Sequence, residues 1–203
     1  TGGCRQEGLP REELRSAVRS KYSEVAQSAS GKFAYPTGKE GALALGYDPT
    51  LVDAAHPGLL ESFCGVGNPF SLFPIQPGSI ILDVGCGAGF DLYIAAQLTG
   101  PKGRVHGVDL TEAMVTRARE NFQKAGIANA EVQQVESESL PFGDNTFDVV
   151  ISNGVINLSP EKETLFREIN RVLKPGGRFG FADVVLEQEL PQGMAGSAEA
   201  WSQ

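Results

Sequence analysis

Asp83-Val84-Gly85-Cys86-Gly87-Ala88-Gly89 is the stretch of this sequence best suited to chemistry. It follows the apolar run Ile80-Ile81-Leu82. Glycines at 85, 87 and 89 let a backbone turn sharply and approach a ligand closely where a helix begins. The spacing is GxGxG rather than the GxGxxG of the dinucleotide fingerprint. A pyrophosphate needs the helix N-terminus to itself, whereas a ligand carrying an amino acid needs room and a neighbouring carboxylate. Asp83 supplies that charge, placed for the amino end of a zwitterion. Asp109 ends the next expected strand, where a carboxylate can accept hydrogen bonds from ribose hydroxyls.

The other reactive residue types offer less. Cys4, Cys64 and Cys86 form an odd set with no CxxC pair, which is no disulfide framework and suits a reducing compartment. Cys4 falls near the terminus, and Cys86 fills space inside the glycine loop. Cys64 lies in the loop-like run Cys64-Gly65-Val66-Gly67-Asn68-Pro69, a setting where functional residues concentrate. His106 falls inside a predicted strand and His56 precedes Pro57-Gly58, so they read as a packed residue and a turn residue. Neither a Ser-His-Asp arrangement nor a metal-spaced His/Cys cluster is present in the sequence. Glu136 and Glu138 also fit a solvated face, Asn153 and Asn157 fit turn-formers, and Tyr22 fits core packing.

These residues need a frame, and the pattern from Pro77 onward supplies one. Strands are expected at Ser79–Val84, Arg104–Asp109, Ala130–Val135, Phe147–Ser152 and Arg178–Val185. Helices are expected at Phe90–Leu98, at Thr111–Ala125 with Thr111 as N-cap, and at Pro160–Leu173 with Ser159 as N-cap. Lys174-Pro175-Gly176-Gly177 reads as the stop of the last helix. Alternation of this kind implies right-handed crossovers and a doubly wound, mostly parallel α/β sheet. Residues 1–75 read as an N-terminal helical and loop leader that caps the substrate side, with one helix at Pro10–Gln27 and turns elsewhere. Residues 76–190 form the core, and 191–203 read as the start of a further C-terminal region.

The formal net charge of −8 argues against binding a phosphate backbone and favours a small-molecule partner over nucleic acid. Without a signal-peptide core or a membrane-length apolar run, the expectation is a cytoplasmic protein with no membrane partner.

The glycine loop, the acidic end of the second strand, the block Leu140-Pro141-Phe142-Gly143-Asp144-Asn145-Thr146-Phe147-Asp148-Val149-Val150 and the turn Leu173-Lys174-Pro175-Gly176-Gly177-Arg178 together resemble the class I methyltransferases over residues 78 to 186. That resemblance implies a Rossmann-like fold and S-adenosyl-L-methionine as cofactor. Asp83, Gly85, Gly87 and Gly89 would line its methionine part, and Asp109 would hold the ribose. Leu110 and Met114 would lie beside the adenine, with Glu136 and Ser137 near the adenine amino group.

A narrower resemblance covers nearly the whole chain. Val18 to Ala26, Tyr35-Pro36-Thr37-Gly38, Leu45-Gly46-Tyr47-Asp48-Pro49, Ser62 to Pro69 and Ser152 to Pro160 are similar to arsenite methyltransferases. That similarity implies methyl transfer to thiolate-bound trivalent arsenic. Cys64 would be an arsenic(III) ligand, Asn153 and Asn157 would border the cofactor and reaction pocket, and Tyr22 would close over the cofactor. Arsenite or its thiol conjugates would be the acceptor, with a thiol reductant as partner. Soft thiolates suit a soft, thiophilic centre. Gly154 stands where many members carry cysteine, and the family's last cysteine, after a tryptophan resembling Trp201, would fall beyond Gln203. Two alternatives remain open: a small-molecule C- or O-methyltransferase with a quinone-type acceptor, and a non-catalytic S-adenosylmethionine or arsenic(III)-binding protein. A nicotinamide-dependent dehydrogenase fits less well, because of the GxGxG spacing and the lack of a proton-transfer residue.

Overall fold

Period-two alternation in the strands divides the interior between two faces of one sheet. Ile81, Val105, Val132, Val149 and Ile151 point to one side, and Leu82, Val84, Val108, Phe147 and Val150 to the other. Strands covered on both faces read as continuous apolar runs, as parallel strands must. A computed structural model describes residues 10–185 and contains five strands: β1 (Ile80–Val84), β2 (Arg104–Asp109), β3 (Ala130–Gln134), β4 (Phe147–Asn153) and β5 (Leu173–Ala182). All neighbours in the sheet are parallel, in the order β3-β2-β1-β4-β5. The order reverses between β1 and β4, which opens a crevice at the carboxyl ends of the strands, where ligands bind in such sheets.

Helices α5 (Phe90–Thr99) and α6 (Glu112–Ala125) cover the first face, and α7 (Lys162–Val172) covers the second through Leu165, Ile169 and Val172. The leader holds α1 (Arg11–Val25) and three short helices, α2 (Gly38–Ala44), α3 (Pro49–Ala54) and α4 (Pro57–Glu61), where turns alone were expected. Asp48 and His56 cap the last two, accepting from Thr50 N at 2.8 Å and Gly58 N at 3.1 Å. His56 is therefore a turn residue, as expected. Ala42, Tyr47, Val52, Leu59 and Phe63 of the leader join the hydrophobic cluster that contains α5.

The structure corrects three local readings. Lys174-Pro175-Gly176-Gly177 does not separate α7 from β5; it lies within β5. The strand tolerates it because the register with β4 shifts between Phe147 and Val149, and bulged edges accept proline and glycine. Lys174 reaches back to Asp148 at 2.8 Å, while the same carboxylate accepts from Ile80 N. Second, α7 begins at Lys162, because the Ser159 hydroxyl accepts from Glu161 N and so closes a turn ahead of the helix. Third, Thr111 makes no side-chain cap on α6; Asp109 Oδ1 takes the Thr111 N–H instead, at 2.8 Å. Cys4 and Trp201 lie outside the described residues.

Candidate functional site

The loop between β1 and α5 hangs from β2: Gly85 N and Cys86 N both donate to Val108 O, at 2.8 and 3.0 Å. Its glycines have different jobs. A Cβ at Gly85 would collide with the Val155 side chain, and one at Gly89 would lie 2.7 Å from the Phe122 ring. Gly87 has φ +51°, and a Cβ there would meet only Met114 Sδ, at 3.9 Å. Its open side faces a cleft walled by Tyr22, Cys64, Asp83's neighbour Val84, the glycine loop, Asp91, Asp109, Leu110, Met114, Ser137, Glu138, Asn153 and Gly154.

Three carboxylates gather beneath this cleft. Asp83 and Asp91 are 2% and 7% exposed, so neither meets enough water to stabilise its charge. Burial pushes Asp83 well above the usual carboxylate range, and repulsion from Asp91 and Asp109 adds to it. Asp91 is pushed up to about 6 by burial, against the lowering effect of hydrogen bonds from Tyr47 and Asn153. Asp109 is raised by burial while its two oxygens accept from Gly87 N at 2.9 Å and Thr111 N at 2.8 Å. The Thr111 side chain bonds the same carboxylate, which still has acceptor capacity for a hydroxyl donor. An open glycine cradle, an electron-rich floor in need of a cation and a carboxylate at the end of β2 fit a nucleoside bearing an amino acid.

The sign of the electrostatics yields a prediction. The free protein holds extra protons on these raised carboxylates, and an arriving ammonium favours their charged forms. Binding of S-adenosylhomocysteine should therefore release protons, and its affinity should rise between about pH 5 and 7. Calorimetric titration in two buffers of different ionisation heat measures this; proton uptake on binding would contradict it.

The structure brings most of the expected residues together. Tyr22, Gly85, Gly87, Asp109, Leu110, Met114, Ser137, Asn153 and Cys64 line the cleft, and Asp83 and Gly89 stand immediately behind it. Two do not reach it. Glu136 is exposed, with only its carbonyl engaged, by Arg19 at 3.3 Å. Asn157 lies off the wall; its N–H donates to Asp183 Oδ2 at 2.9 Å, and its buried Oδ1 has no partner among the described residues. Glu138 takes the place expected of Glu136. It is 6% exposed, accepting from Ser159 at 2.7 Å and from Arg15 of α1 at 2.6 Å, so it is no solvated face.

Cys64, like Tyr22 and Phe33, packs against the buried cluster that contains Ala88 and Met114. Burial pushes its thiol up to about 12, helped by Asp109 and opposed by Lys21. Burial also raises Tyr22 above the tyrosine range, with Cys64 and Asp109 nearby. Cys86 turns its sulfur toward β2, where a Cβ on Gly107 would lie 2.7 Å from it. It is a packing residue. His106 packs edge-on against Phe142 and Phe147, with centroids 5.8 and 5.6 Å away. No group of three or more His, Cys, Asp or Glu residues among the described residues is arranged to hold a metal ion.

Tyr47 and Asp91 went unnoticed in the sequence. Asp91 could have been flagged as an acidic residue in the first turn of the helix that follows the glycine loop. Tyr47 sits in a run that reads as a turn and shares in the family resemblance, with no sign of the role of its hydroxyl.

A family model described as a methyltransferase domain matches residues 75–203. The arsenite methyltransferase of Halobacterium salinarum is 40% identical over 198 residues, 89% of this chain and 49% of that protein. The crystal structure of an arsenic(III) S-adenosylmethionine methyltransferase from Chlamydomonas reinhardtii is 38% identical, with a TM-score of 0.58 over 79% of this chain and 53% of that one. A SAM-dependent methyltransferase from Aquifex aeolicus is 30% identical, with a TM-score of 0.56 over 71% of this chain and 79% of that one. The chain spans about half the length of the two arsenic-methylating relatives. With the cleft at the switch point of a five-stranded parallel sheet, these likenesses leave one assignment: the chain belongs to the methyltransferase domain family and has the Rossmann-like fold of the class I S-adenosylmethionine-dependent enzymes.

Proposed function

We propose that this chain carries the cofactor site and part of the acceptor site of a cytoplasmic arsenite methyltransferase. The observation that supports this most is the position of Cys64, a thiol on the wall of the same cleft that holds the glycine cradle. When bound, S-adenosyl-L-methionine supplies an electrophilic methyl group on a sulfonium. Asp83 would face its ammonium and Asp109 its ribose, with Leu110, Met114 and Ser137 around the base. Cys64 would hold trivalent arsenic, from arsenite or a thiol conjugate, by displacing one of its oxygen or sulfur ligands as water or thiol. Arsenic held by Cys64 would keep its lone pair free to accept that methyl group.

The protein's part is alignment and exclusion of water, both of which lower the barrier without proton transfer. Tyr22 and Val18 of α1 close one side of the cleft. Accepting a methyl cation raises the arsenic from the trivalent to the pentavalent state, and a thiol reductant would return it to the trivalent state, two thiols leaving as a disulfide. The cytoplasmic assignment rests on the cysteine pattern, and no helix among the described residues is long and apolar enough to cross a membrane. The net charge of −8 disfavours nucleic acid as a partner.

Incubating the chain with methyl-labelled S-adenosylmethionine, arsenite and a dithiol should yield methylated arsenic. Label appearing on a demethylated quinol, with arsenite left unmethylated, would replace this reading with the quinone-type alternative.

A further inference from the structure

In-line transfer demands that the atom bound to Cys64 be placed within tenths of an ångström; Tyr35 holds the Cys64 carbonyl at 3.0 Å, but the glycine-bearing run that follows needs an anchor of its own. The Asn153 side chain, at the end of β4, fixes that loop. Its Oδ1 accepts from Val66 N at 2.8 Å and Gly67 N at 3.2 Å. The two hydrogens on its Nδ2 are shared among Gly67 O at 2.9 Å, Asp91 Oδ2 at 3.0 Å and Tyr47 Oη at 3.1 Å. Tyr47 in turn donates to Asp91 Oδ1 at 2.6 Å. Gly65 is glycine because a Cβ there would strike the Asn153 amide. Asp91 belongs to the first turn of α5, directly after the glycine cradle, and also lines the cleft.

Resting on the function proposed above, we infer that Tyr47, Asp91 and Asn153 are positioning residues that dock the Cys64–Asn68 loop onto the start of α5, so that the acceptor thiol is placed by the same helix that cradles the cofactor. Three observations support this. Every polar atom of the Asn153 amide is used, so the group has no capacity left for a substrate. The three side chains come from the leader, from α5 and from β4, which makes the network a junction rather than a local turn. Tyr47 is 3% exposed, so its hydroxyl has been taken out of water to make these bonds.

The test uses Tyr47→Phe, which removes one oxygen, and Asn153→Ala. Amide exchange at Val66, Gly67 and Leu82, alkylation of Cys64 resolved by peptide mass spectrometry, and calorimetric affinity for S-adenosylhomocysteine are measured for each. In both variants Val66 and Gly67 should exchange at least about tenfold faster and Cys64 should alkylate at least about threefold faster. Exchange at Leu82, in β1, should stay unchanged in both variants. Unmoved exchange at Val66 and Gly67 would overturn the inference, as would equal acceleration at Leu82, which signals global loosening. If Asn153→Ala does not fold, Tyr47→Phe decides alone. Failure of S-adenosylhomocysteine to bind the unaltered chain would overturn the function proposed above, while loop exchange and alkylation would still decide this inference.

Discussion

Asp109→Ala is expected to weaken S-adenosylhomocysteine binding by at least about 100-fold while leaving the chain folded. Hydrogen bonds to a charged group contribute about 1.5–3 kcal/mol each, and two ribose hydroxyls would share this carboxylate. At about 1.4 kcal/mol per tenfold, losing both exceeds two orders of magnitude. Stability moves less, because two effects oppose. Gly87 N and Thr111 N lose their acceptor, while a buried carboxylate whose charge burial disfavours is removed. Asp109→Asn separates the two roles. It keeps an acceptor for one amide and nearly the same volume, so its melting temperature should fall less than that of the alanine variant, while affinity still drops. Calorimetric titration of both variants, beside their thermal unfolding, reads the outcome. Undiminished affinity in Asp109→Ala would remove the ribose assignment.

Much of this arrangement was legible because it is local. Strands β1 and β4 are buried on both faces and so carry short runs rich in Ile, Leu and Val, and Asp83, Gly87 and Asp109 sit at fixed offsets from the strand ends. What escaped depends on partners far away in sequence. Glu136 and Glu138 occupy one polar run, and only the approach of Arg15, 123 residues away, with Ser159 selects Glu138 for burial. Likewise nothing near Tyr47 announces that its hydroxyl meets Asp91, 44 residues on, and Asn153, 106 residues on. Strand β5 was shortened at its start because proline and glycine normally stop an element, and only the register shift against β4 admits them here. Asn157 was placed on the cleft by resemblance, but the 3-10 turn Ile156–Leu158 carries it toward Asp183 instead.

Cys64→Ser should lower methyl transfer to arsenite by at least about 100-fold with S-adenosylhomocysteine affinity kept within about threefold, because oxygen replaces a soft ligand without changing the shape of the cleft. The protonation state of this thiol adds a second, graded expectation. Burial and the neighbouring Asp109 and Asp91 push it up to about 12, and Lys21 alone pulls it down. At neutral pH the side chain is therefore almost wholly thiol, and its thiolate fraction grows about tenfold per pH unit until that pKa is approached. Alkylation by iodoacetamide, which needs the thiolate, should be slow in the free protein and climb with that slope. Binding of arsenite does not share the dependence, since the departing hydroxide carries the thiol proton away as water. Lys21→Met, which removes the one cation that lowers the thiol, should slow alkylation further while arsenite binding stays near its original strength. A Cys64 that alkylates rapidly at neutral pH would contradict the raised thiol pKa, and a Cys64→Ser chain that still methylates arsenic at the original rate would remove the thiol from the acceptor site.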